Sequence, residues 1–316
     1  MALITNAFTT YTAVGNREDL SDTIYDISPG DTPIMSAIGT SNATAVKHEW
    51  QTDVLATNTT ANILLEGGEV AAQASVATSR VENYCTISYK ALAVTGTQDA
   101  VNAAGRASEL GYQLAKRSRE IKRDMETIIT SNQGQNAGSA TAARQCRGLG
   151  SWLSTNQSRG TGGAAATAVT AAATDATTAN RRAFTEGMLK TVIQSVYDSG
   201  GEPDILSVGS FNKQTVSGFT GRTQARQMIA EDRIQGAAAL YASDFGDLKV
   251  IPNRFQRARD AWVVSPEYLA VSYLRPFAVE ELAKTGDAES RFLRSEWTLE
   301  VRNEAAHGVV ADLTEA

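Results

Sequence analysis

An α+β fold with an antiparallel sheet is what the sequence predicts, and three observations carry it. Helical periodicity concentrates in the first two thirds of the chain, over 99–131 and 184–199, whereas strand-like alternation dominates after residue 248. Two alternating stretches, 46–54 and 80–90, flank 25 residues (55–79) without a proline, forming a ribbon too long for a compact core to enclose. Between the helical segments, 31 of the 45 residues from Asn136 to Asn180 are Ala, Gly, Ser or Thr. That stretch is too poor in large apolar groups to nucleate packing and reads as a surface loop or lid.

Composition bounds the classes. The chain has 316 residues, 42% hydrophobic and 20% charged, which fits a folded protein with a sizeable core. A net charge of -6 argues against tight nonspecific DNA binding, which needs a basic face. No window holds 18 consecutive apolar residues, so no membrane partner is expected. The opening residues lack both a basic start and an apolar run, so no secretory signal is visible and Cys85 and Cys146 read as reduced thiols.

The elements follow in order. Leu20, Ile24 and Ile27 stand at helical spacing in the N-terminal arm. Pro29-Gly30 is turn chemistry, Asp31 or Thr32 can cap a helix starting at Pro33, and Gly39 ends it after Ile34, Met35 and Ile38. The ribbon strands, at about nine residues each, would carry its tip roughly 30 Å from its base. Residues 99–131 predict one continuous helix of about 50 Å, with Ala107, Leu110, Leu114, Ile121, Met125 and Ile128 on a single stripe. Thr97 is its expected cap, Gly134 lies past its end, and Lys116–Glu120 and Lys122–Glu126 stand at pairing distance on the opposite face. Acids interleave with bases there, which makes a poor nucleic-acid site. Phe184, Met188, Val192 and Val196 mark a second helix stopped by Gly200-Gly201. The segments 204–210, 248–252 and 261–265 read as strands, and 211–219 as a short helix.

Candidate chemistry is sparse. His48 and His307 belong to no metal-spaced cluster, no phosphate loop with a lysine or dinucleotide fingerprint appears, and a nucleophile elbow is absent. "CRGLGSW" (146–152) fits a turn. No catalytic, cofactor-binding or metal-binding residue is assigned, and no cofactor is expected.

The order of parts, with "SPGDTPIMSAIG" at the end of the arm, resembles tailed-phage major capsid proteins of the Hong Kong 97 type. "GDTP" at 30–33 resembles the N-terminal motif of one branch of them. The resemblance implies an arm over 1–45, an extended loop over 46–90, a spine helix of the peripheral domain over 91–134 and an axial domain over 135–260. Strands over 261–316 would return to the peripheral domain. It also implies a noncatalytic shell subunit of an icosahedral head, assembled in the bacterial host cytoplasm as hexamers and pentamers. Such a head encloses double-stranded DNA without sequence-specific binding. Separate scaffolding, portal and decoration proteins are possible partners, the 29 residues before Gly30 being too few for a built-in scaffold. Contacts between subunits are expected through Gly30, Asp31, Thr32 and Pro33, through Trp50, Glu66, Glu69 and Arg80 on the ribbon, and through Arg117, Arg119 and Arg123 on the spine. Residues 51–79 contain no lysine, so the shell should be held without a lysine–asparagine crosslink from the loop. Two alternatives remain open: an encapsulin-like nanocompartment shell around enzyme cargo, and a soluble enzyme with its site in 135–260.

Overall fold

The structure, a computed structural model, describes residues 30–70, 75–101, 108–219, 240–284 and 286–315. The expected helix through Leu20, Ile24 and Ile27 lies outside the described residues. Pro33 opens helix α1 (Pro33–Ala37), as its fixed φ favours. Gly39 does not stop that helix in a left-handed turn. Ile38 is already extended, and the chain runs straight into strand β1 (Gly39–Asn42).

Strands β2 (Lys47–Thr52) and β3 (Ser79–Tyr84) pair antiparallel as the ribbon, from Lys47 opposite Tyr84 to Thr52 opposite Ser79. Six paired residues reach only about 20 Å, shorter than expected, because alternation ends at Thr52 and no strand forms in the described part of 53–78. The expected strand 80–90 is in fact two. The chain passes at the buried Cys85 from β3 into β4 (Thr86–Thr95), which joins a different sheet.

The continuous 33-residue helix is also corrected. A short helix α2 (Gly96–Ala100) is capped by Thr95, not Thr97, and Val101 then turns extended. Helix α3 (Glu109–Ile129) starts afresh from Ser108, whose hydroxyl accepts the Gly111 N–H. Its 21 residues make a rod of roughly 30 Å. The sequence carried the break, since Gly105 and the cap-competent Ser108 both fall inside the expected helix. Gly134 lies past the end as expected, pressed against the backbone of Thr170 where no side chain would fit.

The small-residue region is not all surface. Residues 146–153 are buried, with α4 (Leu149–Trp152) a short helix where a turn was expected. Cys146, Leu149, Trp152 and Leu153 are among its few large apolar groups, and they sink into the core. Strand β5 (Gln157–Ser158) follows, and most of 161–180 is exposed. Helix α5 (Glu186–Asp198) ends at Gly200, which takes φ +85 and donates to Tyr197 O while Gly201 donates to Val196 O. Then come β6 (Ile205–Val208), α6 (Ser210–Ser217), β7 (Leu240–Ser243), β8 (Gly246–Pro252), β9 (Ala261–Val264), β10 (Leu269–Glu281), β11 (Ala288–Val301) and β12 (Gly308–Val310).

These strands make a four-stranded sheet, β1-β10-β11-β4, and a six-stranded sheet, β5-β12-β9-β6-β8-β7. Both are mixed: β1 with β10, β6 with β8 and β5 with β12 run parallel. The β6–β8 pair is parallel because a crossover containing α6 separates the two strands. The strands after residue 260 divide between the sheets, β10 and β11 joining the first and β9 and β12 the second. A core around Trp262 and Trp297 ties α1, α3 and residues 146–153 to strands of both sheets. A second core lies where Leu189, Val192, Ile193 and Val196 of α5 pack against β6, β8 and β9.

Candidate assembly surfaces

The Gly30–Pro33 turn is positioned by a residue 92 positions beyond Ile34. Thr32 sits at the N-cap of α1 without capping it through its side chain. Instead Glu126 of α3 accepts the Ile34 N–H at 3.0 Å and the Met35 N–H at 2.8 Å, and Asn253 donates to it at 2.7 Å. Glu126 is fully buried. Burial pushes its carboxyl above the usual range, although those three hydrogen bonds oppose the shift. The expected Lys122–Glu126 surface pair is therefore corrected: the acid points inward and serves as the missing cap. Beside the turn, a groove of about 680 Å³ runs between it, α3 and β8, lined by residues 30–33, Ser36, Ala37, Arg119, Lys122 and 249–252.

The ribbon is rooted in the four-stranded sheet by a polar cluster. Glu300 accepts hydrogen bonds from Ser41 at 2.6 Å and Ser272 at 2.8 Å, and its carboxylate lies 3.3 Å from His48 Nε2. Arg302 Nε donates to its other oxygen at 3.1 Å. Burial disfavours the charged form of Glu300, but these donors outweigh it and hold the carboxyl at about 2. Trp50, expected between subunits, is engaged within its own chain. Its Nε1 donates to Val301 O at 2.9 Å, and its ring lies 5.8 Å from that of Trp152. Asn83, opposite His48, accepts from Arg147 N–H at 2.8 Å and donates to Leu299 O at 2.7 Å. Nothing in the sequence pattern singled out Ser41, Asn83, Ser272 or Glu300, because their partners come together only through sheet pairing.

Beyond this root no described residue covers the large apolar side chains of the ribbon. Leu55 is 94% exposed, Ile63 86% and Leu65 83%, and Val54, Leu64, Val70 and Val76 are exposed with them. Glu66 and Glu69 are exposed on the same stretch, and Arg80, at its return, pairs with Glu49 at 3.4 Å. On α3, Arg117 pairs with Glu120 at 2.6 Å, Arg119 lines the groove, and Arg123 stacks over the Phe255 ring at 5.3 Å. Of the candidate contact side chains, Asp31, Glu66, Glu69, Arg80 and Arg119 are exposed, while Thr32, Pro33, Trp50, Arg117 and Arg123 are partly covered by their own chain. Gly30 lies exposed at the end of the groove.

The remaining reactive groups are inward. Burial pushes the thiols of Cys85 and Cys146 up to about 11 and about 12, and both are free. His307 is buried, accepts the Ser265 N–H at Nδ1 and is held down at about 4 by burial. A cleft of about 420 Å³ in the 135–260 region, bounded by Ile87 and residues 137–144, has no histidine, cysteine or carboxylate in its lining. No metal-holding group of acids, histidines and cysteines occurs among the described residues.

The chain matches the family model for the SU10 major capsid protein over residues 3–314. It is similar to the major capsid protein of Escherichia phage Phieco32, 27% identical over 339 residues that cover 96% of each. Among solved structures it is similar to a chain of the cyanophage A-1(L) capsid asymmetric unit. There the TM-score is 0.68 and identity 11%, over 98% of this chain and 100% of that one. An encapsulin complex of Synechococcus elongatus shares the fold more distantly, with a TM-score of 0.57 and 10% identity over 95% and 93% of the two chains. Likeness at this level establishes the Hong Kong 97-like fold and does not separate phage heads from nanocompartments. The family match makes that separation: the chain belongs to the SU10 major capsid protein family, and it is a phage major capsid protein that forms the head shell.

Proposed function

We propose that this subunit closes an icosahedral head from hexamers and pentamers around double-stranded DNA, held by noncovalent contacts of the arm, the exposed loop and the charged face of α3. One observation carries the reading: from Val54 to Val76, seven large apolar side chains stand in solvent on a segment that, among the described residues, is anchored at its root. Patches of this kind mark interaction sites, and a ribbon of two strands is marginal when alone. Head-to-tail contacts that close into rings satisfy such a loop on every copy.

Within this reading, residues 46–90 are the extended loop and 91–134 belong with the peripheral domain. Residues 135–260 form the axial domain, which β9 and β12 complete. The resemblance of GDTP at 30–33 to the N-terminal motif of one branch of capsid proteins supports assigning the chain to that branch. Assembly takes place in the host cytoplasm, any scaffolding being supplied by a separate protein, and the subunit has no catalytic role. Electron microscopy of the purified protein tests the reading: closed shells containing DNA, or empty, support it. Shells filled with protein cargo, or a discrete small oligomer under all assembly conditions, would overturn it.

A further inference from the structure

The groove beside the Gly30–Pro33 turn combines an apolar floor with a cationic rim. Pro33, Ala37, Ile251 and Pro252 lie along it with part of each side chain uncovered, Arg119 and Lys122 stand one turn apart on α3, and Lys249 faces them from β8. Asp31 is the one acid in the lining. Lys122 and Lys249 are exposed and have no carboxylate partner among the described residues. The chain enters the groove at Gly30, and its position there is pinned by Glu126 through the Ile34 and Met35 N–H groups. Residues 1–29 precede that point. All five of their charged side chains fall between 17 and 26, and four are acids: Glu18, Asp19, Asp22 and Asp26 against Arg17. Leu20, Ile24 and Ile27 are spaced to share one face.

We propose that the groove is the docking site of the chain's own segment 17–27, whose acids meet Arg119, Lys122 and Lys249 while Leu20, Ile24 and Ile27 cover Ile251 and Pro252. The segment suits the groove in both charge and polarity. The tether favours it over any free partner: Asp26 is four residues from Gly30, within about 14 Å even fully extended. A partner joined by so short a link acts at an effective concentration in the millimolar range. Docking would set the direction in which the arm leaves the protomer, and it does not depend on shell assembly.

The test is hydrogen exchange of residues 17–27 in the full chain, before and after assembly. The wild type should protect this segment already in the unassembled chain, and the double variant K122E/K249E should raise its exchange roughly tenfold. Adding D22K/D26K to that variant should restore protection. Both lysines are exposed, so the fold survives, and salt at about 0.5 M offers a variant-free check because screening then acts over a few Å. Exchange unchanged by K122E/K249E and by salt overturns the proposal. So does protection that appears only on assembly, or protection of 246–252 that is lost in E66Q/E69Q, either of which would make the occupant a neighbouring copy.

Discussion

Ile121, Met125 and Ile129 of α3 have no solvent exposure, whereas Leu114, one stripe position earlier, is only half-buried. The cost of removing methyl groups follows this gradient. Ile121→Ala is expected to destabilise the protomer by about 2–5 kcal/mol and Leu114→Ala by about 1 kcal/mol, measured by denaturant unfolding of the unassembled chain. Equal losses would mean that Leu114 is covered more deeply than its surroundings suggest. Glu300 gives a second test, with a definite sign. Its carboxyl is held at about 2 in the folded protein, below its ordinary 4.5, so its contribution is complete above 4.5 and is lost as pH falls toward 2. Stability of the wild type should therefore fall more steeply than that of Glu300→Gln across this window. Parallel acid-denaturation curves would show that the Ser41–Ser272–Arg302–His48 donors do not favour the ionised form.

At the scale of elements, the ribbon divides into a root and a free part. The root is packed, since Trp50 and Asn83 bond into β11 and His48 faces Glu300. The free part contributes exposed apolar area and no core, so deleting 58–76 should leave the folding transition of the protomer within about 0.5 kcal/mol of wild type. The same deletion should abolish shells in the electron microscope. Normal particles from the deletion variant would show that assembly does not use the loop. The break between α2 and α3 matters at this scale too, because it confines the rigid rod to the 21 residues whose inner face packs on β4 and β11.

For the whole molecule, the lysines nearest the loop are committed elsewhere. Lys47 is paired with Glu49 and Glu82 at the ribbon root, and Lys90 bonds Asp124 of α3 at 2.6 Å. A lysine amine held in ion pairs is protonated and cannot attack an amide. Hydrogen bonding to Glu82 and Glu49 indeed raises the Lys47 pKa further from neutrality. Boiled particles should therefore run on a denaturing gel as one band near 33.6 kDa. A ladder of covalent multimers would refute a noncovalent shell.

What the sequence determined by itself was periodicity and punctuation. The α5 stripe through Met188, Val192 and Val196, its glycine stop, the strands at 205–208, 246–252 and 261–264 and the long final strands were legible because each shows in a local period of apolar side chains or a local stop residue, whereas Phe184, taken as the start of that stripe, precedes α5. The exposed loop was legible for the complementary reason, since a stretch with alternation on both sides and none within has nothing to pair with. Only the tertiary structure decided what depends on distant residues. It placed Glu126 under α1 rather than beside Lys122, sank 146–153 into the core, split 80–95 between two sheets at Cys85, and gathered Ser41, His48, Ser272 and Glu300 at the ribbon root. A buried carboxylate needs donors from other elements, and which elements supply them is set by how the sheets and helices pack, information that no local window of the chain contains.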